Sequence, residues 1–192
     1  MTPTTPCRTT PPVREEPDED AMELIVETLA QWPPPDDPTA RLPDVPRFDT
    51  SAFAPLLVAV GERCLADRYG TPPLPPALGA RTALVLAATR GDVVTQTAID
   101  DAVAGQRQVP KPLLFQNVPS TALGHLSAVW GLTGPLVATL AIGDPLAAAR
   151  TTAARLIATG DADQALAIAA DPGDSPRSPG TAWAHLFTTG RT

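Results

Sequence analysis

The sequence predicts an α/β fold, one mixed sheet with helices on both faces. Three observations carry this. The runs Thr82–Thr89, Leu136–Ile142 and Gln164–Ala170 are continuously apolar and of strand length, as strands buried on both faces are. Segments with apolar residues at helical spacing lie between them. The junctions carry turn and cap residues, most clearly Gly143-Asp144-Pro145. Strands alternating with helices of this length give a sheet covered on both sides.

Residues 1–48 hold nearly half of the prolines and an acidic run, Glu15-Glu16-Pro17-Asp18-Glu19-Asp20. Such a segment buries too little apolar surface to offset its ordering entropy, so most of it is expected to be disordered. The exception is about 20–31, where Met22, Ile25, Val26 and Leu29 make one helical stripe. Acidic residues precede it, as suits a helix N-terminus, and Pro33–Pro35 stop it. It reads as a short helix laid against the domain, or as a docking helix for a partner.

Residues 49–192 read as the folded domain. Asp49, Thr50 or Ser51 caps a helix whose apolar face is Phe53, Leu56, Leu57, Val60 and Cys64. Cys64 is then a small core residue. The proline-rich stretch 71–79 is a surface loop, and Thr82–Thr89 the first buried strand. Gly91-Asp92 turns into a helix ending near Gly105, with Val94, Ala98, Ile99 and Ala102 inward. Leu113–Asn117 reads as a short extended segment. Pro119-Ser120 opens a helix with Leu123, Leu126, Val129 and Trp130 on one side, ended by Gly131 and Gly134. Leu136–Ile142 is the second buried strand. Asp144 and Pro145 then fit the N-cap and first turn of a helix reaching Thr159 and stopped by Gly160. Gln164–Ala170 is the third buried strand; a polar loop and a last strand, Thr181–Thr189, follow.

Composition narrows the function. At 192 residues the chain can build a core. A net charge of -7 does not suit a nucleic-acid partner, which requires a basic face. The two cysteines, Cys7 and Cys64, do not make a disulfide framework, and a reducing cytoplasm fits them. No apolar run is long enough to span a membrane, and the N-terminus lacks the pattern of a signal peptide.

The usual catalytic patterns are missing: no Gly-x-Ser-x-Gly elbow, no phosphate-binding loop, no Cys-x-x-Cys pair. His125 opens no obvious dyad, although Ser120, Thr121 and Ser127 lie near it in sequence. It reads first as structural, with His125 and Ser120 the weak catalytic candidates. His185 sits in an apolar strand-like run and reads as a core or edge residue. Asp161 with Asp163, and Asp171 with Asp174, fall at turns where solvated carboxylates are expected. Neither a metal nor a cofactor is expected.

Three stretches nevertheless resemble a known family. Arg81-Thr-Ala-Leu-Val-Leu-Ala-Ala-Thr-Arg-Gly-Asp92 is similar to an early strand and turn of β-ketoacyl synthases. Leu114-Phe-Gln-Asn-Val-Pro-Ser-Thr-Ala-Leu-Gly-His-Leu-Ser-Ala-Val-Trp-Gly-Leu-Thr-Gly-Pro135 carries the Asn, Pro, Ala, Gly-His and Gly-Leu-x-Gly-Pro series of such condensing enzymes. Ala154–Asp171 resembles the helix and strand after their nucleophile. Order and spacing agree from about residue 50 onward. The resemblance implies a truncated thiolase-like fold, the N-terminal half of a ketosynthase.

The departures matter as much. In the family the strand after Gly-Pro ends at a cysteine whose pKa is lowered by a helix N-terminus. Counting from Gly134-Pro135, that position here is Gly143, which has no side chain to acylate. Asp144 beside it opposes an anionic nucleophile. The family's two catalytic histidines belong to a C-terminal half beyond this sequence. Chain-length-factor subunits of polyketide systems likewise lack the cysteine and pair with an active ketosynthase. The resemblance therefore implies a non-catalytic partner or scaffold in polyketide or fatty-acyl biosynthesis. Its expected partners are a ketosynthase-like protein or a second copy, with an acyl carrier protein as a further one. The family pairs the strand before the nucleophile across a two-fold, here Leu136, Val137, Ala138, Thr139, Leu140, Ala141 and Ile142. With half a fold, the helix from Pro145 is expected to leave an apolar patch open, softened by the stems of Arg150 and Arg155. The rival reading is one half of a split acyltransferase completed by a second chain.

Overall fold

In the computed structural model, which describes residues 24–175 and 177–190, the apolar runs become neighbouring strands of one sheet. The strands are β1 (Leu24–Trp32), β2 (Thr82–Ala88), β3 (Leu136–Leu140), β4 (Gln164–Ser175) and β5 (Ser178–Thr189). The helices are α1 (Phe53–Tyr69), α2 (Pro76–Ala80), α3 (Val93–Ala104), α4 (Lys111–Gln116), α5 (Pro119–Trp130) and α6 (Pro145–Ala158). The sheet order is β1-β5-β4-β2-β3. β2 pairs in parallel with β3 and β4, while β5 runs antiparallel to both β4 and β1. The sheet is therefore mixed, with β5 its reversed strand.

Side-chain alternation divides the sheet into two unlike faces. One presents Leu84, Leu86, Leu166, Ile168 and Leu186 to α1 and α5, whose Leu56, Leu57, Leu123, Leu126 and Trp130 complete the larger core. Each fully buried leucine there contributes about 1.5–3 kcal/mol. The other face presents mainly small residues, Ala83, Val85, Ala87, Ala165 and Ala167, to Ala149, Ala153, Leu156 and Ile157 of α6. Alanine meeting alanine brings this helix close to the sheet. Helices thus cover both faces, as the sequence predicts. The buried Gln164 is partnered at both ends of its amide: Tyr69 donates to Gln164 Oε1 at 2.6 Å, and Gln164 Nε2 donates to Thr82 Oγ1 at 2.7 Å.

Cap chemistry follows the sequence closely. Ser51 Oγ accepts from Ala54 N at 2.8 Å and opens α1. Asp92 accepts from Thr95 N at 3.1 Å and opens α3. Cys64 is fully buried in the larger core, where desolvation pushes its thiol pKa up. Along α3 only Ala102 of the expected inward residues is fully buried; Val94, Ala98 and Ile99 are half-buried.

Five expectations are corrected. The helix expected at about 20–31 is strand β1 over the described residues, antiparallel to β5 from Leu24↔Thr189 to Trp32↔Ala182; Met22 lies outside the described residues. Leu-Ile-Val and Thr suit a strand as well as a helical stripe, and the free edge of β5 decides between them. Ala30, Val45 and Phe48 join the larger core, so the boundary expected at residue 48 falls inside one packed unit. The loop 71–79 ends in the short helix α2. The extended segment expected at Leu113–Asn117 is α4, with a proline in its first turn where no N–H is needed. Finally, β4 and β5 continue as a hairpin through the expected polar loop, with Asp171↔Thr181 and Pro172↔Gly180 paired. Gly180 permits this: its φ is +98°, and a Cβ there would lie 2.1 Å from the Asp171 carbonyl oxygen.

Candidate functional site: the strand–helix junction at Gly143

Because β2, β3 and β4 are parallel, their C-terminal ends emerge side by side. The chain leaves β3 at Leu140, and Ala141 N donates to Ala88 O at 2.8 Å, the last rung with β2. Gly143 then adopts φ +89°, a conformation that favours glycine. Asp144 caps α6, its Oδ1 accepting from Leu146 N at 2.9 Å, and Pro145 fills the first helical position. The junction is therefore built as expected. Gly143 is exposed, and a Cβ placed on it would meet no atom within 4 Å. There is room for a side chain, and none is supplied.

The polar groups at the neighbouring strand ends are engaged structurally. Thr89 Oγ1 donates to Asp171 Oδ1 at 2.6 Å. Arg90 pairs with Asp174 at 2.7 Å and donates to the Pro172 carbonyl. At the α6–β4 turn, Thr159 Oγ1 donates to Asp161 Oδ2 at 2.5 Å, and Arg81 pairs with Asp163 at 2.9 Å. These carboxylates fix turns. Among the described residues no group of three or more His, Cys, Asp or Glu gathers in metal-binding geometry.

The other candidates are not assembled into a site. Ser120 and His125 are both half-exposed on α5, five residues apart. At about 100° per residue they point roughly 140° apart around the helix. No hydrogen bond joins them. Thr121 Oγ1 donates to the Val118 carbonyl at 2.6 Å, and Ser127 Oγ to the Leu132 carbonyl. His185 is half-buried on β5, its ring 5.6 Å from that of Phe187. Burial, and then the charge of Arg150, lowers its pKa.

The strand before Gly143 departs from expectation. Leu136–Ile142 reads as a buried strand, yet β3 is an edge strand with only Val137 and Ala141 half-buried. Leu140 is 67% exposed and Ile142 fully so. An apolar run signals burial on both faces; position in the sheet decides whether that burial is met within the chain. The apolar patch expected on α6 is not there either: its outward residues are Ala147, Arg150, Thr151, Arg155 and Ala158. Sequence reasoning also passed over Gln116, a buried polar side chain on α4. A lone glutamine in an apolar segment, Leu113-Leu-Phe-Gln116, is the signal that marks it.

No family model matches the sequence, and no curated protein matches it. Solved structures do. The chain is similar to the ishigamide ketosynthase/chain length factor, with a TM-score of 0.60 and 17% identity over 76% of this chain and 45% of that one. It is similar to a chain of the ketosynthase ApeO in complex with its chain length factor ApeC from Xenorhabdus doucetiae. There the TM-score is 0.63 and the identity 14%, over 87% of this chain and 79% of that one. A third likeness, TM-score 0.57 and 16% identity, is to AntDE:AntF, a type II polyketide synthase acyl-carrier protein in complex with its ketosynthase. It covers 75% of this chain and 47% of that one. The chain thus spans less than half of the first and third, and about four-fifths of the second. At these identities the likenesses establish architecture, and the chain has the truncated thiolase-like fold of ketosynthases and chain length factors.

Proposed function

We propose that this chain is a non-catalytic, ketosynthase-like accessory protein of polyketide or fatty-acyl biosynthesis, acting as partner or scaffold of an active ketosynthase. The observation that carries the proposal is Gly143. By the resemblance it stands where a condensing enzyme holds its nucleophilic cysteine, and it offers open space in place of a thiol. The strand, cap and helix around it are intact. Selection that removed the reaction but kept this geometry fits a role in assembly.

The exposed edge β3, from Leu136 to Ile142, is the surface assigned to that assembly. Similarity to chains in ketosynthase–chain length factor and ketosynthase–carrier protein complexes supports a ketosynthase-like partner, with an acyl carrier protein as a further one.

The test has two arms. The pure chain is incubated with acyl-loaded carrier protein and its intact mass measured; no acyl increment is expected. The chain is also mixed with any ketosynthase found encoded in its gene neighbourhood, and the mass of the mixture measured by light scattering; a complex is expected. An acyl adduct would sink the non-catalytic reading. Two separate monomers at micromolar concentration would sink the partner reading.

A further inference from the structure

A cleft of about 490 Å3, whose lining does not include Gly143, lies between the Asp49-Thr50 loop, α3 and α4. Ala98, Pro110 and Leu113 give it apolar walls, and Asp49, Asp101 and Gln116 also line it. Its volume lies in the range of small-molecule sites. We propose that this cleft binds a neutral, mainly apolar amide, with Gln116 as its hydrogen-bond donor.

Gln116 is only 3% exposed, and its orientation is fixed. Its Oε1 accepts from Thr50 N and from Ser51 N, each at 3.1 Å. Both neighbours are N–H donors, so the oxygen must face them and Nε2 must face away. Among the described residues, Nε2 has no hydrogen-bond partner. Among the described residues, Trp130 Nε1 is the wholly enclosed side-chain polar atom left unpartnered. Gln116 Nε2 therefore keeps accessible surface, and Gln116 is part of the lining of this cleft. A buried amide normally satisfies its donors.

The cleft's chemistry narrows the ligand. A neutral N–H donor takes a carbonyl oxygen. The Asp49 and Asp101 carboxylates repel an anion and accept an N–H. Arg107 is the cation on the same lining, but its Nη2 is turned to the Asp101 carbonyl at 3.1 Å. An acceptor and a donor on one small group, flanked by apolar chain, is an alkyl amide.

The test uses the full 15N-labelled chain and N-hexylacetamide, with hexanoate as the anionic comparison. The Gln116 side-chain NH2 cross-peak is expected to shift saturably with the amide, with at least tenfold weaker binding of hexanoate. Gln116→Glu keeps an acceptor for Thr50 N and Ser51 N while removing the donor, and is expected to weaken amide binding at least tenfold. Ala98→Leu fills the cleft without touching Gln116 and is expected to do the same, which keeps the test decisive if Gln116→Glu does not fold. An unmoved cross-peak, hexanoate binding as well as the amide, or full affinity in a folded Gln116→Glu or Ala98→Leu variant would overturn the proposal.

Discussion

Replacing Ala138 with proline tests whether β3 is an assembly edge. In the β2–β3 ladder Leu84 N donates to Pro135 O and Ala141 N to Ala88 O, at 2.8 Å each. Parallel pairing alternates. Residues 135, 137, 139 and 141 therefore face β2, and residues 136, 138 and 140 direct their N–H and C=O groups to the free edge. Ala138 is exposed, and by this alternation its N–H takes no part in the β2–β3 ladder. Proline there breaks no internal rung, and an edge strand tolerates it, so the chain's own stability should change by no more than about 1 kcal/mol. Across an interface the effect is larger. Each Ala138→Pro leaves a partner carbonyl unpaired, at about 1–3 kcal/mol. In a symmetric pair this occurs twice, for about 2–6 kcal/mol, which weakens association by roughly thirty-fold to roughly twenty-thousand-fold. Sedimentation velocity on the chain alone, and on its mixture with a candidate ketosynthase partner, reads the assembly; urea unfolding reads the fold. Undiminished assembly in the variant would refute β3 pairing. A large loss of stability would refute the outward assignment of the Ala138 N–H.

Other outcomes follow from the same geometry. Gly143→Cys has room for its side chain but adopts a φ of +89°, a strain of about 1–2 kcal/mol. Its exposed thiol should react with iodoacetamide yet take no acyl group from a loaded carrier protein, because neither Ser120 nor His125 forms a dyad; acylation would show the junction to be competent. Gly79→Ala would place a Cβ 2.1 Å from the Gly131 carbonyl oxygen, backbone against backbone. A loss of about 3 kcal/mol is expected, seen as a Tm lowered by roughly 6–12 °C; an unchanged Tm would contradict this close approach. His185 has a folded pKa below its ordinary 6.5. As pH falls, the unfolded chain takes up this proton first, so stability should be level above about pH 6.5 and decline as pH drops through the folded pKa. His185→Gln should remove that part of the slope, and an unaltered slope would place its origin elsewhere.

How legible each element was depended on how local its cause is. The Gly143-Asp144-Pro145 junction, the cap at Ser51 and the turn at Gly91-Asp92 are determined within four residues, and they fold as read. The all-apolar strands β2 and β4 are likewise visible, because burial on both faces needs continuous apolar residues. β1 was not. Its spacing of Ile25, Val26 and Leu29 fits a helix and its composition fits a strand; the arbiter is β5, more than 150 residues later. The same non-locality hid the exposure of β3, since an edge strand and a central strand can carry the same apolar run. α4 was misread for a simpler reason: Pro112 was not credited as a helix-opening residue. At the candidate site the absence of a side chain at Gly143 could be read directly. The separation of Ser120 from His125 needed only the helical period once α5 was placed.

Where this fold meets other molecules follows from which of its surfaces resist association. The outward face of α6 carries Arg150, Thr151 and Arg155 among small residues, which suits water better than a second apolar layer. The two sheet edges expose larger apolar side chains, yet they differ. β1 presents Ile25, Val26 and Leu29 but carries Glu27, tied to Thr188 Oγ1 at 2.9 Å and to Arg68 at 3.5 Å, and its register is broken between Val26 and Thr28. A charge and a bulge are the usual devices that keep an edge from pairing. β3 has neither. From Leu136 to Ile142 there is no charged residue and no proline, and among the described residues no strand pairs with the outer edge of β3, where Leu136, Leu140 and Ile142 stand exposed. An edge left so open is a hazard unless something covers it. Gly143 stands directly after it, so whatever pairs with β3 lies alongside that strand–helix turn.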